Sequence, residues 1–313
     1  MHVVFIEPRF PANQRQFVRA LAEVGADVTA IGEGSKDSLD DDLKRWLIHY
    51  EQVPSVVHEP SLLQAVRFVQ SKKWVDRLEA TVEAHITAAA KVREACHIPG
   101  TSMRTAFLCR DKPAMKEALR AAGIPTAQSA GADSAADVRA FVAKVGYPII
   151  VKPRDAAGAS GTSRVDSDAE LDELLPTLSG SVAVEEFIEG HEGFYDTIAV
   201  NGRVMHEFVC HYYPNVLEAM RTRWIAPQFV ATNRVDAVSG YDELKVMGRR
   251  VIEALDIGTS ATHMEWFYGP KGLKFSEIGC RRRGRAPRAW AAATWATRGC
   301  GSSTPTTTSC ARC

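Results

Sequence analysis

The sequence predicts an α/β fold in two parts: an open α/β unit at the N-terminus, then a larger α+β unit made of two lobes. Three observations carry this reading. Residues 2–31 run strand, helix, strand, the opening of an open α/β sheet. Pro99-Gly100 interrupts the helical patterns near residue 100, and a second series of elements starts there. Beyond it, Asn201-Gly202 between two β-patterned runs is a hairpin signal of the kind antiparallel sheets use.

Element by element, HVVFI and DVTAIG are the apolar strands of the first unit. Between them Asn13 is placed to cap a helix with Phe17, Leu21 and Val24 on its apolar face, and Gly25 ends it. Helical periodicity recurs over 60–72 and 83–96. Residues 112–122 form a helix with Pro113 in its first turn and Gly123 beyond its end, and residues 135–145 form another. YPIIVKP (147–153) and SVAVEEFI (181–188) are strands, separated by DAAGASGT, a loop of small residues. The stretch 212–233 has no clean period and reads as a loop or cover. A helix over 241–255 precedes a hairpin whose turn is Gly269-Pro270-Lys271-Gly272.

Composition narrows the function classes. The 313 residues are 45% hydrophobic, enough for a sizeable core, and contain no run of about 18 apolar residues, so a soluble cytoplasmic chain is expected. The formal charge of zero hides an asymmetry: residues 1–280 hold 31 basic against 38 acidic residues, while seven arginines and no acidic residue follow. A mildly acidic body argues against a nucleic-acid binder. The EPRFPAN turn after the first strand lacks the glycines of a dinucleotide fingerprint. Cys96, Cys109 and Cys210 lack metal-ligand spacing, consistent with a reducing compartment and not with a zinc cluster.

Four features carry chemistry. Lys152 ends an apolar strand beside a loop containing Gly158 and Gly161, a cation next to exposed backbone N–H groups, as phosphate sites use. Lys112 stands at a helix start, where the dipole disfavours a cation, so its placement invites an anionic partner. VEEFIEGHE puts Glu185 and Glu192 at a strand end across the Gly190 turn, able to face one cleft. Glu265 and Glu277 lie side by side across the last hairpin, where paired oxygen ligands suit a divalent cation that relieves their repulsion. Taken singly, a solvated lysine or an exposed acidic strand end explains the first three as well.

In this order, Lys112, YPIIVKP with its loop, VEEFIEGHE and HMEW…KFSEIG resemble the ATP-grasp superfamily of carboxylate–amine ligases, biotin carboxylase and carbamoyl phosphate synthetase. The resemblance implies a pre-ATP-grasp domain over 1–100, a small lobe over 101–184 and a large lobe with the metal site over 185–281. It implies that Lys112 and Lys152 hold ATP phosphates under a loop including Ala157, Gly158, Ser160 and Gly161. Glu185, Glu186, Phe187 and Ile188 would meet adenine and Glu192 the ribose. Glu265 and Glu277 would bind Mg²⁺, with Mn²⁺ as an alternative, and Arg281 would stand beside the reacting carboxylate, making Arg281 and Lys152 the catalytic residues. The implied activity is activation of a small-molecule carboxylate as an acyl phosphate and its transfer to an amine, with no nucleic-acid or membrane partner and a homodimer left open. Biotin-carboxylase-like carboxylation and nucleotide binding without turnover remain alternatives. His211, Arg221 and Arg223 are candidates to meet the substrate carboxylate, and the Glu7–Asn13 turn to line its site.

Two departures stand out. Gly279 occupies a position where many relatives carry a metal-binding asparagine. From Arg281 onward there is no Val, Ile, Leu, Phe, Met or Tyr, so residues 282–313 cannot extend the core. That segment reads as a frameshifted or disordered tail, since loss of one base converts Arg-Pro-Pro-Gly to Arg-Arg-Arg-Gly.

Overall fold

The computed structural model describes residues 1–154, 161–222, 224–225 and 228–280. Four parallel strands open the chain: β1 (His2–Ile6), β2 (Asp27–Gly32), β3 (His49–Gln52) and β4 (Arg77–Glu79), in spatial order β3-β2-β1-β4. Helices α1 (Gln14–Glu23), α2 (Asp41–Trp46), α3 (Glu59–Lys72) and α4 (Ile86–Ala95) connect and follow them. The strands are almost continuously apolar because both faces of the sheet are covered: Val4 and Ile6 pack with α3 and α4, Phe5 and Val28 with α1 and α2. On α1 the buried positions are Gln14 and Val18, with Phe17 and Leu21 half-buried, whereas Val24 is exposed. The apolar face is thus shifted from the one expected, and Asn13 makes no side-chain cap.

Helices α5 (Met103–Leu108) and α6 (Lys112–Ala121) lead into two antiparallel sheets. The smaller contains β5 (Ser129–Ala132), β6 (Ile149–Pro153), β7 (Ser163–Val165) and β8 (Val182–Glu186), ordered β5-β8-β6-β7, with α7 (Ala135–Val145) and α8 (Asp168–Leu174) packed on it. The larger contains β9 (His191–Val200), β10 (Arg203–Tyr213), β11 (Gln228–Thr232), β12 (Ser260–Gly269) and β13 (Gly272–Gly279), ordered β11-β10-β9-β12-β13. Helix α9 (Val216–Thr222) lies between β10 and β11, and α10 (Asp242–Ala254) precedes β12. The expected patternless cover at 212–233 therefore contains the end of β10, a short helix and an edge strand. Four of the five β11 positions are exposed, so no apolar alternation marks it in the sequence.

The largest core cluster joins the two parts of the site. Met115 and Leu119 of α6 meet Tyr195, Met264, Trp266, Phe275 and Ile278 of the large sheet and Val251 of α10. The chain after α6 then adds to β13, with Phe275 N–H donating to Pro125 O at 2.8 Å. This pins α6 between the sheets and fixes where its polar face points. The Asn201-Gly202 turn between β9 and β10 has both residues at positive φ (50° and 77°), as a tight hairpin requires.

Candidate active site

Helix α6 begins correctly for its sequence: the Asp111 side chain accepts from Ala114 N–H and Pro113 sits in the first turn. Arg154 pairs with Asp111 at 2.9 Å, tying the end of β6 to this cap. One face of α6 carries Met115 and Leu119 into the core, and beside it Lys112 and Lys116 are also buried. Lys112 finds the anionic partner its position called for: Nζ is 3.9 Å from Glu277 Oε2.

One turn deeper, Lys116 reaches Glu185 of β8, a contact that the sequence analysis did not anticipate. Lys116 Nζ is 2.6 Å and Lys152 Nζ 2.9 Å from the same atom, Glu185 Oε2. Burial opposes ionisation of Glu185, but the two ammonium groups outweigh it and bring its carboxyl down to about 2. Burial likewise lowers Lys116, to about 8, against the attraction of Glu185. For Lys152 the carboxylates, Glu185 foremost, outweigh burial and hold the ammonium charged. Glu185 Oε1 is buried with no hydrogen-bond partner among the described residues.

Glu265 and Glu277 share a face because of a bulge. The two-residue turn sets Trp266 opposite Phe275, a register that continued regularly would pair Glu265 with Ser276 and send Glu277 to the other face. The register shifts between Glu265 and Trp266 instead, so Glu265 faces Glu277 directly. Beside them, His263 Nδ1 bonds Asp196 Oδ1 at 2.6 Å and its Nε2 lies 3.6 Å from Glu265 Oε1.

Glu192 lies near this carboxylate pair. Gly190 lets the β8–β9 turn approach β12 closely, since a Cβ there would stand 2.5 Å from Tyr268 O. Glu192 Oε2 accepts from Val216 N–H at 2.7 Å, and Asn215 bridges Glu192 N–H (3.0 Å) and Gly190 O (2.8 Å), latching α9 over the site. Burial first, then the Glu265 charge, push Glu192 up to about 8.

Several of these groups, though not Lys116, Asp196 or His263, line one cavity of about 690 Å³. Lys112, Lys152, Glu185, Glu186, Phe187, Ile188, Glu192, Glu265 and Glu277 of the sequence-predicted set all border it, as does Arg221 of α9. Arg164, another lining residue, lays its guanidinium 4.2 Å from the Phe187 ring centroid. Gly161 lies next to the β7 entry with φ +69°. His211 is elsewhere engaged, bonded to His191 (2.8 Å) and Tyr241 (2.9 Å). Ala157, Gly158, Ser160, Arg223, Arg281 and the tail from 282 lie outside the described residues. Lys116, Asp196, His263, Arg164 and Asn215 were missed; only the i, i+4 spacing of Lys112 and Lys116 offered a signal for any of them.

Comparison with known proteins agrees with this architecture. The ATP-grasp domain profile matches residues 117–302. The chain belongs to the ATP-grasp family. An L-arginine-specific L-amino acid ligase of Bacillus subtilis is 28% identical over 216 residues, covering 66% of this chain and 51% of that protein. D-alanine–D-alanine ligase B of Xanthomonas campestris pv. campestris is 34% identical over 119 residues, 36% of each chain. The crystal structure of an L-amino acid ligase from Bacillus licheniformis superposes with TM-score 0.71 at 21% identity, covering 90% of this chain and 67% of that one, a likeness of fold. The chain spans about half the length of the Bacillus subtilis ligase. Among the described residues no helix is long and apolar enough to cross a membrane.

Proposed function

We propose that the chain is an ATP-dependent ligase that activates a carboxylate as an acyl phosphate and transfers it to an amine. The observation that carries this reading is the meeting, in one cavity, of Lys112 and Lys152 with the directly opposed Glu265 and Glu277. The lysines would hold the phosphates of ATP, and Arg281 would follow β13 to the reacting carboxylate. Glu185 Oε1, an acceptor with no donor among the described residues, suits an exocyclic amine, with the backbone of Glu186 to Ile188 along the base. Glu192 would exchange its bond to Val216 for a ribose hydroxyl.

The residues fit a divalent cation. Two carboxylates directly opposed repel one another, and among the described residues no group of three or more His, Cys, Asp or Glu forms a cage. Two carboxylates plus substrate phosphates are how Mg²⁺ is commonly held, and Mn²⁺ accepts the same oxygen donors. When bound at Glu265 and Glu277, the cation would neutralise phosphate charge.

In the first step a substrate carboxylate oxygen attacks the γ-phosphorus of ATP, the bond to the bridging oxygen breaks, and ADP leaves with that electron pair. In the second an amine attacks the acyl carbon, the phosphate leaves with the C–O electrons, and the amine's proton goes to solvent. Lys112 and Lys152 would orient the triphosphate and offset its charge, while α9 closed over the cavity would limit hydrolysis of the acyl phosphate. The Glu7–Asn13 turn and Arg221 are proposed to contact the carboxylate substrate. The test is phosphate release with Mg²⁺-ATP across a panel of amino acids and other carboxylates with amine acceptors. Tight ATP binding without turnover on any pair would favour a nucleotide-binding role instead.

A further inference from the structure

Among the described residues, Lys116 is the one charged side chain of the largest fully buried ones, at 1% exposure, and it does not border the cavity. A buried cation is costly, and an apolar residue of the same length generally serves stability as well or better. Lys116 also stands one helical turn from Lys112, a like-charge spacing that disfavours the helix. Its contact with Glu185 supplies the reason for a charge at this point. Were Glu185 paired with Lys152 alone, the two would form a neutral pair with little attraction for a phosphate. With Lys116 on the same carboxylate oxygen, the group of three carries a net charge of +1, and the cation that faces the cavity is Lys152.

We propose that Lys116 is a positioning residue: it absorbs part of the Glu185 charge so that Lys152, held at the end of β6, stays available to an anionic phosphate. This rests on the nucleotide reading above and extends it to a residue that touches no ligand. The effect is electrostatic and passes through Glu185, which sets it apart from a packing role.

Calorimetric titration of ATP, ADP and adenosine into wild type, Lys116→Met, Lys116→Arg and Lys116→Met/Glu185→Gln tests it. Lys116→Met should weaken ATP and ADP by about tenfold or more while leaving adenosine within about twofold, because only the phosphates meet Lys152. Lys116→Arg should keep most of the ATP affinity. Adding Glu185→Gln to Lys116→Met should restore ATP binding, since Gln keeps an acceptor oxygen but no longer neutralises Lys152. Unchanged ATP binding in Lys116→Met, equal losses for ATP and adenosine, or a double variant weaker than the single would each overturn the role. Should Lys116→Met fail to fold, Glu185→Gln is compared with the double variant: equal ATP affinity supports the role, and a further loss overturns it. A wild-type chain that takes no nucleotide overturns the nucleotide reading, and this role with it.

Discussion

The lysine–glutamate cluster predicts an unequal response to losing its members. Glu185→Ala removes the shared counter-charge and leaves the Lys116 and Lys152 side chains, 1% and 11% exposed, facing one another. Breaking a buried ion pair from one side costs about 3–5 kcal/mol, a large part of the 5–15 kcal/mol that holds a typical domain together. Lys152→Met is different. It keeps most of the apolar stem, and Glu185 retains Lys116 at 2.6 Å, so no buried charge is stranded. Its cost should be about 1 kcal/mol, the scale of one net hydrogen bond. Urea unfolding at pH 7.5, with midpoint and slope recorded for both variants, separates the cases. A Glu185→Ala chain within about 1 kcal/mol of Lys152→Met would refute the assignment of Glu185 as the main counter-charge to two buried lysines. Function should invert the order of mildness: Lys152→Met is the gentler change to the fold, yet it should abolish turnover.

Glu277→Gln, which removes one of the opposed charges while keeping shape, should leave the unfolding midpoint near wild type and eliminate metal-dependent phosphate release; wild-type turnover would exclude Glu277 from the metal site. Gly248 of α10 faces Tyr195, and an added Cβ would stand 2.3 Å from the ring, so Gly248→Ala should destabilise by about 1–3 kcal/mol in urea without changing KM for ATP. Burial lowers the pKa of His85, His191 and His211, the last also through His191. Between those lowered values and about 6.5 the unfolded chain binds more protons at these sites, so the histidines' share of the stability is level above about pH 7 and falls as pH drops through that window, whereas the raised Glu192 moves its own share the other way. Urea midpoints at pH 7.5 and 5.5 in wild type and His191→Asn isolate that share: between the two pH values wild type should lose more stability, or gain less, than His191→Asn.

Much of the fold was legible because it depends on local pattern. Strand β2, helix α7 and the start of α6 fall where periodicity and Pro113 put them. The site was legible where a residue's type and its position on an element sufficed: Lys112 at a helix start, Lys152 at a strand end, Glu185 and Glu192 about a turn. It was not legible where contact across elements decided the outcome. Lys116 reads as a solvated lysine one turn after Lys112, and only the packing of α6 between two sheets buries it on Glu185. Asp196 and His263 are 67 residues apart and meet through the register of β9 with β12.

The hairpin of Glu265 and Glu277 divides the two kinds of information most clearly. By itself the sequence determined that two carboxylates would lie on neighbouring antiparallel strands, because a short turn leaves no other pairing. Only the tertiary structure decided that both look into the cavity, because strand side chains alternate with period two and a one-residue bulge reverses the face.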